Sequence, residues 1–96
     1  MSTVVHNLDE KRFEIEVNDH LAIAEYMETA TNITFTHTEV PPELEGQGIG
    51  TKLAYTAVEY AYEKNLKMIL ICPFITQYVR NHPKYHPLVY GYKPKK

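Results

Sequence analysis

At residues 45–50, EGQGIG, the sequence changes from a pattern typical of strands to one typical of a helix. It places three glycines within five residues, shortly after Pro41-Pro42 and immediately before a regular apolar pattern. The proline pair ends the segment that precedes it, because proline cannot donate to a sheet ladder. Glycines beside the start of a helix let the backbone approach a ligand closely, and the N–H groups of the first turn favour an anion. The segment therefore predicts a turn from a strand into a helix that binds an anion.

The residues after the glycine segment predict a helix, a strand and a second helix. Apolar residues recur at spacings of three and four from Ile49, which predicts an amphipathic helix to about Lys64, with Asn65 as a left-handed stop. The unbroken apolar run 68–72 predicts a central parallel strand that is covered on both faces. Residues 75–81 are a candidate for a short C-terminal helix.

The residues before the glycine segment predict antiparallel strands. Apolar and polar residues alternate at 13–17 and 21–28, on either side of the turn signal at 18–20. A third strand is predicted at 33–39, and Val4-Val5 is a candidate for a short edge strand. The expected fold class is α/β (α+β): a mixed, mostly antiparallel sheet with one main helix after a Gly-rich loop and a short C-terminal helix. With 96 residues, a single domain over 1–96 is expected.

Composition narrows the possible partners and compartments. The chain is 44% hydrophobic and 23% charged, with a formal net charge of −2, which argues against a nucleic-acid footprint despite the basic residues at 93–96. It contains no apolar run long enough for a membrane span, so no membrane partner is expected. One cysteine, Cys72, excludes an internal disulfide and a multi-cysteine zinc site. Residues 1–6 show no signal-peptide pattern, so a cytoplasmic protein is expected.

Two common phosphate-binding motifs do not fit the glycine segment. A Walker loop ends in Gly-Lys followed by Ser or Thr, whereas the order here is Gly50-Thr51-Lys52. A dinucleotide fingerprint that starts at Gly46 requires glycine at the position of Thr51.

The segment instead resembles the pyrophosphate loop of the GCN5-related N-acetyltransferases, Q/R-x-x-G-x-G/A, with Glu45 where Gln or Arg is usual. Within that fold the chain is similar to a small, abbreviated group with a cysteine after the strand that follows the helix. The shared features are His37-Thr38-x-Val40-Pro41, the loop itself and Cys72-Pro73. The resemblance covers nearly the whole chain.

The resemblance implies acetyl-CoA (or coenzyme A) as the cofactor and a set of backbone and side-chain contacts for it. The Val40 amide would be the oxyanion donor, and the loop amides would take the pyrophosphate. The implied cofactor-binding residues are Thr38, Val40, Glu45, Gly46, Gln47, Gly48, Ile49, Gly50, Thr51 and Asn81.

The implied catalytic residues are Cys72, His37 and Glu39. Cys72 is either a nucleophile, with its thiolate stabilised by a neighbour such as His37, or the acid that protonates the leaving thiolate; a small buried core residue is the alternative. His37, which period two places on the face of Ile33 and Phe35, is the candidate base for the incoming amine, and Glu39 is a second one. Each has an ordinary structural alternative, a hydrogen-bonded histidine and a solvated carboxylate.

One tyrosine and two histidines near the C-terminus are further candidates for chemistry. The resemblance implies an acid tyrosine in the short helix after Cys72, a role that would fall to Tyr78, although packing is the commoner role of a tyrosine. His82 and His86 bracket Pro83, and no further ligand follows at metal spacing, so no metal site is expected.

The leading functional prediction is an acetyl-CoA-dependent N-acetyltransferase that acts on a primary amine of a small molecule or peptide. The alternative is a non-catalytic module that binds CoA or acyl-CoA as a sensor or adaptor, and a structural interaction domain without ligand is a third possibility. A monomer or a weak dimer is expected.

Overall fold

The computed structural model describes residues 3–93, so Met1, Ser2 and most of the basic tail lie outside the described part. Five strands form one sheet in the order of the chain: β1 (Val5–Asn7), β2 (Arg12–Val17), β3 (His20–Glu28), β4 (Asn32–Glu39) and β5 (Lys67–Leu70). The helix α1 (Ile49–Glu63) connects β4 to β5, and α2 (Pro73–Arg80) follows β5. Two 3-10 turns, Pro42–Leu44 and Pro83–Leu88, complete the described chain. The predicted fold class is confirmed.

The sheet is antiparallel from β1 to β4 and parallel between β4 and β5. The predicted parallel strand therefore exists, but its predicted central position is wrong, because β5 is the last strand of the sheet. It is also shorter than the apolar run 68–72, and Ile71 beyond its end is exposed. The C-terminal segment covers the outer edge of β5, where Met68 bridges to Val89 and the Met68 carbonyl accepts the Tyr90 N–H at 2.8 Å. That cover explains an apolar sequence at the edge of a sheet.

The helix α1 packs its apolar stripe on the sheet. Its buried residues are Ile49, Leu53, Ala54, Ala57, Val58 and Ala61. The three alanines let the helix axis approach the sheet closely, and α2 packs beside α1 with Ile75 and Val79 buried. Asn65 has a φ of 57°, so the predicted left-handed stop after the helix is confirmed.

A β-bulge in β4 changes which residues face the core. The register pairs Tyr26 with Phe35 but Glu25 with His37, so Thr36 is the extra residue on β4. Before the bulge, Phe35 faces the core; after it, Thr38 pairs with the fully buried Ala24. Directly opposed residues share a face, so His37 turns outward with Glu25. The period-two prediction that His37 shares the face of Ile33 and Phe35 is therefore wrong.

Within residues 3–93, no helix has the length and apolar character needed to cross a membrane.

Candidate active site

A cavity of about 400 Å³ opens between the end of β4 and the start of α1. It is lined by Thr38, Val40, Leu44, Glu45, Gly46, Gly48, Ile49, Gly50, Thr51 and Phe74. Eight of these ten were named from the sequence as cofactor-binding residues. The strand end, the glycine segment and the first turn of α1 therefore meet at one place, with the start of α2 contributing Phe74.

The glycine segment adopts backbone conformations that favour glycine. Gly46 has a φ of 84° and Gly48, the N-cap residue of α1, has a φ of 74°. No side chain caps the first turn of α1, and that turn contains no acidic residue. The N–H groups of the first turn, which have no partner within the helix, are thus available to an anion at the positive end of a 15-residue helix. The site fits the diphosphate of coenzyme A in this respect.

Gly50 is needed for space. A Cβ at this position would lie 2.9 Å from Cζ and 3.2 Å from Cε2 of Phe74. The ring therefore packs directly against the backbone of the first turn, and both residues line the cavity. A larger residue at position 50 would displace the ring.

Glu45 and Gln47 of the glycine segment differ in their relation to the cavity. Glu45, which stands where Gln or Arg is usual, is exposed and is one of the residues that line the cavity. Its own N–H donates to the Pro42 carbonyl at 3.2 Å. Gln47 is exposed and donates through Nε2 to the Glu43 carbonyl at 3.4 Å, and it is not among the lining residues.

Strand β4 continues beyond its last partner on β5. Phe35 pairs with Leu70, and the Phe35 carbonyl then accepts the N–H groups of both Ile71 and Cys72, at 3.2 and 2.9 Å. The chain turns into α2 at Cys72, so the edge of β4 from Thr36 to Glu39 has no register partner on β5. The cavity begins beside this open edge, where Thr38 and Val40 line it.

Cys72 contacts Thr38. Its Sγ lies 3.1 Å from the Thr38 Oγ1, and the residue is 2% exposed. Cys72 does not itself line the cavity, whereas Thr38 does. The expected stabilisation of Cys72 by His37 is therefore wrong for this structure, because the bulge turns His37 to the opposite face of β4.

His37 and Glu39 lie together on the outer face of the sheet. Their Nε2 and Oε1 atoms are 3.9 Å apart, and both side chains are more than half exposed. Neither lines the cavity. A base role for either residue requires the amine to approach from that outer face.

The candidate residues of α2 lie away from the cavity. Asn81 caps the end of α2, with its N–H bonded to the Gln77 carbonyl at 3.1 Å, and it is exposed. Tyr78 stacks on His82 with ring centroids 4.1 Å apart, and burial raises the pKa of Tyr78. Tyr78 and His82 line a second cavity beyond the start of α1, and Asn81 lines neither cavity.

The two C-terminal histidines bond to the backbone of α2. His82 Nδ1 lies 2.6 Å from the Tyr78 carbonyl, and His86 Nε2 lies 2.9 Å from the Val79 carbonyl. Over residues 3–93, no group of three or more His, Cys, Asp or Glu side chains is arranged to hold a metal ion.

Comparison with known proteins assigns the fold and loop to a family. A family model described as GCN5-related N-acetyl-transferase matches residues 12–88, from the start of β2 to the end of the second 3-10 turn. This chain belongs to the GCN5-related N-acetyltransferase family. Protein NATD1 of Xenopus tropicalis is 32% identical over 84 residues, which span 83% of this chain and 76% of that relative. The NATD1 proteins of Mus musculus and Homo sapiens are each 32% identical to this chain over 83 residues. Those residues span 83% of this chain, 76% of the Mus musculus protein and 74% of the Homo sapiens protein.

Within this acetyltransferase family member, two lining residues had not been identified from the sequence. Leu44 is buried at the base of the 3-10 turn, and Phe74 follows Pro73 in the first turn of α2. Leu44 is a single apolar residue between Glu43 and Glu45. An isolated apolar residue of this kind does not indicate a cavity. Phe74 is close in sequence to Cys72, and only the packing of α2 against α1 brings it to Gly50.

Proposed function

We propose that this protein is an acetyl-CoA-dependent N-acetyltransferase that transfers an acetyl group to the primary amine of a small molecule or peptide. The observation that carries the proposal is one cavity shared by the open edge of β4 and the glycine segment at the start of α1. Family membership supports the reaction class. The single, buried and unbridged Cys72 suits a reducing compartment, so a cytoplasmic location is part of the proposal.

The chain offers two kinds of backbone contact to coenzyme A. The N–H groups of the glycine segment and of the first turn of α1 would bind the diphosphate. The open edge of β4 near Thr38 and Val40, which pairs with no strand of residues 3–93, would bind the pantetheine arm by strand-like hydrogen bonds. The Val40 N–H would then stabilise negative charge on the acyl oxygen. When bound, acetyl-CoA supplies an acetyl group activated as a thioester.

The chain's own proton-transfer groups lie on both faces of β4. On the core face, the Cys72 thiol lies behind its cavity-lining partner Thr38, and it would act either as a nucleophile or as the acid that protonates the departing thiolate. On the outer face, His37 and Glu39 would accept the proton of the incoming amine. The core face of β4 would thus act on the leaving thiolate, and its outer face would act on the incoming amine.

A second candidate function is a non-catalytic module that binds CoA or acyl-CoA. One observation favours it: of the ten residues that line the cavity within the described chain, Glu45 alone is titratable. A site with so few proton-transfer groups suits binding as well as catalysis.

Intact-mass spectrometry with acetyl-CoA, combined with an assay for released CoA, separates these functions. We expect amine-dependent release of CoA by the wild-type protein and a large loss in His37→Gln or Cys72→Ser. An acetyl adduct that is absent from Cys72→Ser would assign the nucleophilic route without peptide mapping, because the chain has one cysteine. Release of CoA without an adduct would assign the acid role. Binding of CoA without release above the uncatalysed rate, over peptide and polyamine acceptors, would contradict the enzyme and support the binding module.

A further inference from the structure

The sulfur of Cys72 is separated from the cavity, and Thr38 touches both. Cys72 is 2% exposed and is absent from the cavity wall, whereas Thr38 lines the cavity and places Oγ1 3.1 Å from Sγ. A group bound in the cavity would therefore meet the threonine side chain before it met the sulfur.

A threonine hydroxyl can hydrogen-bond to the cysteine sulfur whether the sulfur is a thiol or a thiolate. It carries one O–H donor and two acceptor lone pairs, and its proton rotates to suit its partner. It accepts a hydrogen bond from a thiol and donates one to a thiolate. A donor aimed at the charged form of an acid favours that form. The contact is therefore suited to stabilise the Cys72 thiolate without a second charged residue.

Because of the β-bulge in β4, Thr38 rather than His37 faces Cys72. Without the extra residue Thr36, regular alternation would turn His37 toward the core and Thr38 away from it. With the bulge, Thr38 lies opposite the buried Ala24, on the face where Cys72 begins α2. Bulges commonly re-aim a side chain beside a functional site.

We propose that Thr38 is a positioning residue for Cys72, whose hydroxyl holds Sγ beside the cavity and stabilises the thiolate. The consequence for acetyl transfer rests on the proposed function, whereas the effect on thiolate formation does not.

Alkylation of Cys72 by iodoacetamide tests this in the absence of acetyl-CoA. Each measurement reports one site, because the chain has a single cysteine, and intact mass follows the reaction between pH 6 and pH 10. Thr38→Val removes the hydroxyl and keeps the shape of the side chain. We expect it to move the midpoint of the pH–rate profile up by about one unit, so that alkylation below the midpoint slows about tenfold. Because Cys72 is 2% exposed, the ultraviolet absorbance of the thiolate gives the midpoint without entry of a reagent. This absorbance is taken as the difference from Cys72→Ser over the same pH range, and the plateau alkylation rate reports access to the sulfur.

Two variants control the measurement. Thr38→Ser keeps the hydroxyl, and we expect it to retain the wild-type midpoint. Thr36→Val removes a hydroxyl from the same strand whose partner is the Glu25 carbonyl, at 3.3 Å, and we expect no shift. If Thr38→Val fails to fold by circular dichroism, Thr38→Ala removes the same hydroxyl and carries the test.

An unchanged midpoint in the variants that lack the hydroxyl would overturn the proposal, and so would an equal shift in Thr38→Ser. The outcome is independent of the enzymatic function. A shifted midpoint in a protein without acetyl transfer supports the positioning role while the proposed function fails. An unshifted midpoint in an active enzyme refutes the positioning role alone.

Discussion

Gly50 lies so close to Phe74 that a Cβ at position 50 would come within 2.9 Å of the phenylalanine ring. This contact joins the first turn of α1 to the first turn of α2 across the cavity wall. The third glycine of the segment is therefore a spacing residue, and its φ is not among the positive ones.

Gly50→Ala should weaken CoA binding more than it weakens the fold. Alanine is the better helix former by about 1 kcal/mol, and the Phe74 ring is 43% exposed, so it can turn aside. The displaced ring would enter or reshape the cavity, and we expect Kd for CoA to rise about tenfold, which corresponds to about 1.4 kcal/mol. Calorimetric titration and thermal melting measure the two effects. The double variant Gly50→Ala/Phe74→Leu should recover part of the affinity; equal affinity in wild type and Gly50→Ala would refute the spacing role.

Gly48→Ala should lower the thermal midpoint. Gly48 has a φ of 74° with nothing within 4 Å of a Cβ, so the penalty is backbone strain rather than a clash. A left-handed conformation costs an alanine roughly 1–2 kcal/mol, and about 1 kcal/mol corresponds to a Tm shift of about 4–8 °C in a domain of this size. The thermal midpoint of Gly48→Asn should fall less than that of Gly48→Ala, because asparagine tolerates this conformation. Gly50→Ala is the matched control without positive φ, and a Gly48→Ala midpoint no lower than that control would count against the assignment.

The strongly periodic parts of this fold were predictable from sequence. The helix from Ile49 was expected to about Lys64 and ends at Glu63, and Asn65 takes the expected left-handed conformation. Local spacing determines both features. The edge position of β5 was not predictable, because the run from Met68 is covered by the Val89–Tyr90 segment from far along the chain.

The candidate site was predictable as a set of residues and not as a geometry. The resemblance to the acetyltransferase loop implied that the glycine segment and Val40 contribute to one site, and both line the cavity. The facing of His37 was predicted wrongly, because alternation cannot reveal an extra residue at Thr36 when threonine stands at every second position of that strand. Phe74 was missed because its contact with Gly50 depends on helix packing.

His6 should make the stability of the fold depend on pH near neutrality. Its Nε2 lies 2.5 Å from the Tyr26 hydroxyl, its ring stacks on Phe13, and Tyr60 packs edge-on against it. Burial lowers the pKa of His6 below its ordinary 6.5, while the Glu28 carboxylate opposes this and Lys64 adds to it. The unfolded chain thus binds the proton more readily, so the contribution of His6 is complete above about pH 6.5 and is lost as the pH falls below it.

The test compares urea midpoints at pH 7.5 and pH 5.5 for the wild type and His6→Gln. We expect the wild-type midpoint to fall more than that of the variant over this interval. A fall of the same size in both proteins would show that His6 is not responsible for the pH dependence.

Tyr85→Phe should destabilise the C-terminal segment. The Tyr85 hydroxyl donates a short hydrogen bond to Glu59, which also accepts from Lys84 at 2.9 Å. The hydrogen bond from Tyr85, followed by that from Lys84, lowers the pKa of Glu59. Loss of a hydrogen bond to a charged group should cost about 1.5–3 kcal/mol in the free energy of unfolding at pH 7. The difference in unfolding free energy between the wild type and Tyr85→Phe should shrink as the pH falls below 4.5. In that range Glu59 becomes protonated first in the unfolded chain and then in the folded one.

Urea denaturation measures this cost, with Tyr90→Phe as the control. Tyr90 is 64% exposed, so loss of its hydroxyl should leave the unfolding free energy unchanged. Equal stability of the two variants at pH 7 would contradict the role given to the Tyr85–Glu59 bond.

Calorimetric titration of coenzyme A into the wild-type protein, at two temperatures, measures whether the glycine segment binds the cofactor. The second temperature is needed because burial of apolar surface changes the heat of binding with temperature, so a zero heat cannot occur at both. We expect a saturable one-to-one isotherm for the wild type and weaker binding in Gly50→Ala. The absence of heat at both temperatures, together with an unchanged thermal midpoint in excess coenzyme A, would show that the glycine segment does not bind the cofactor.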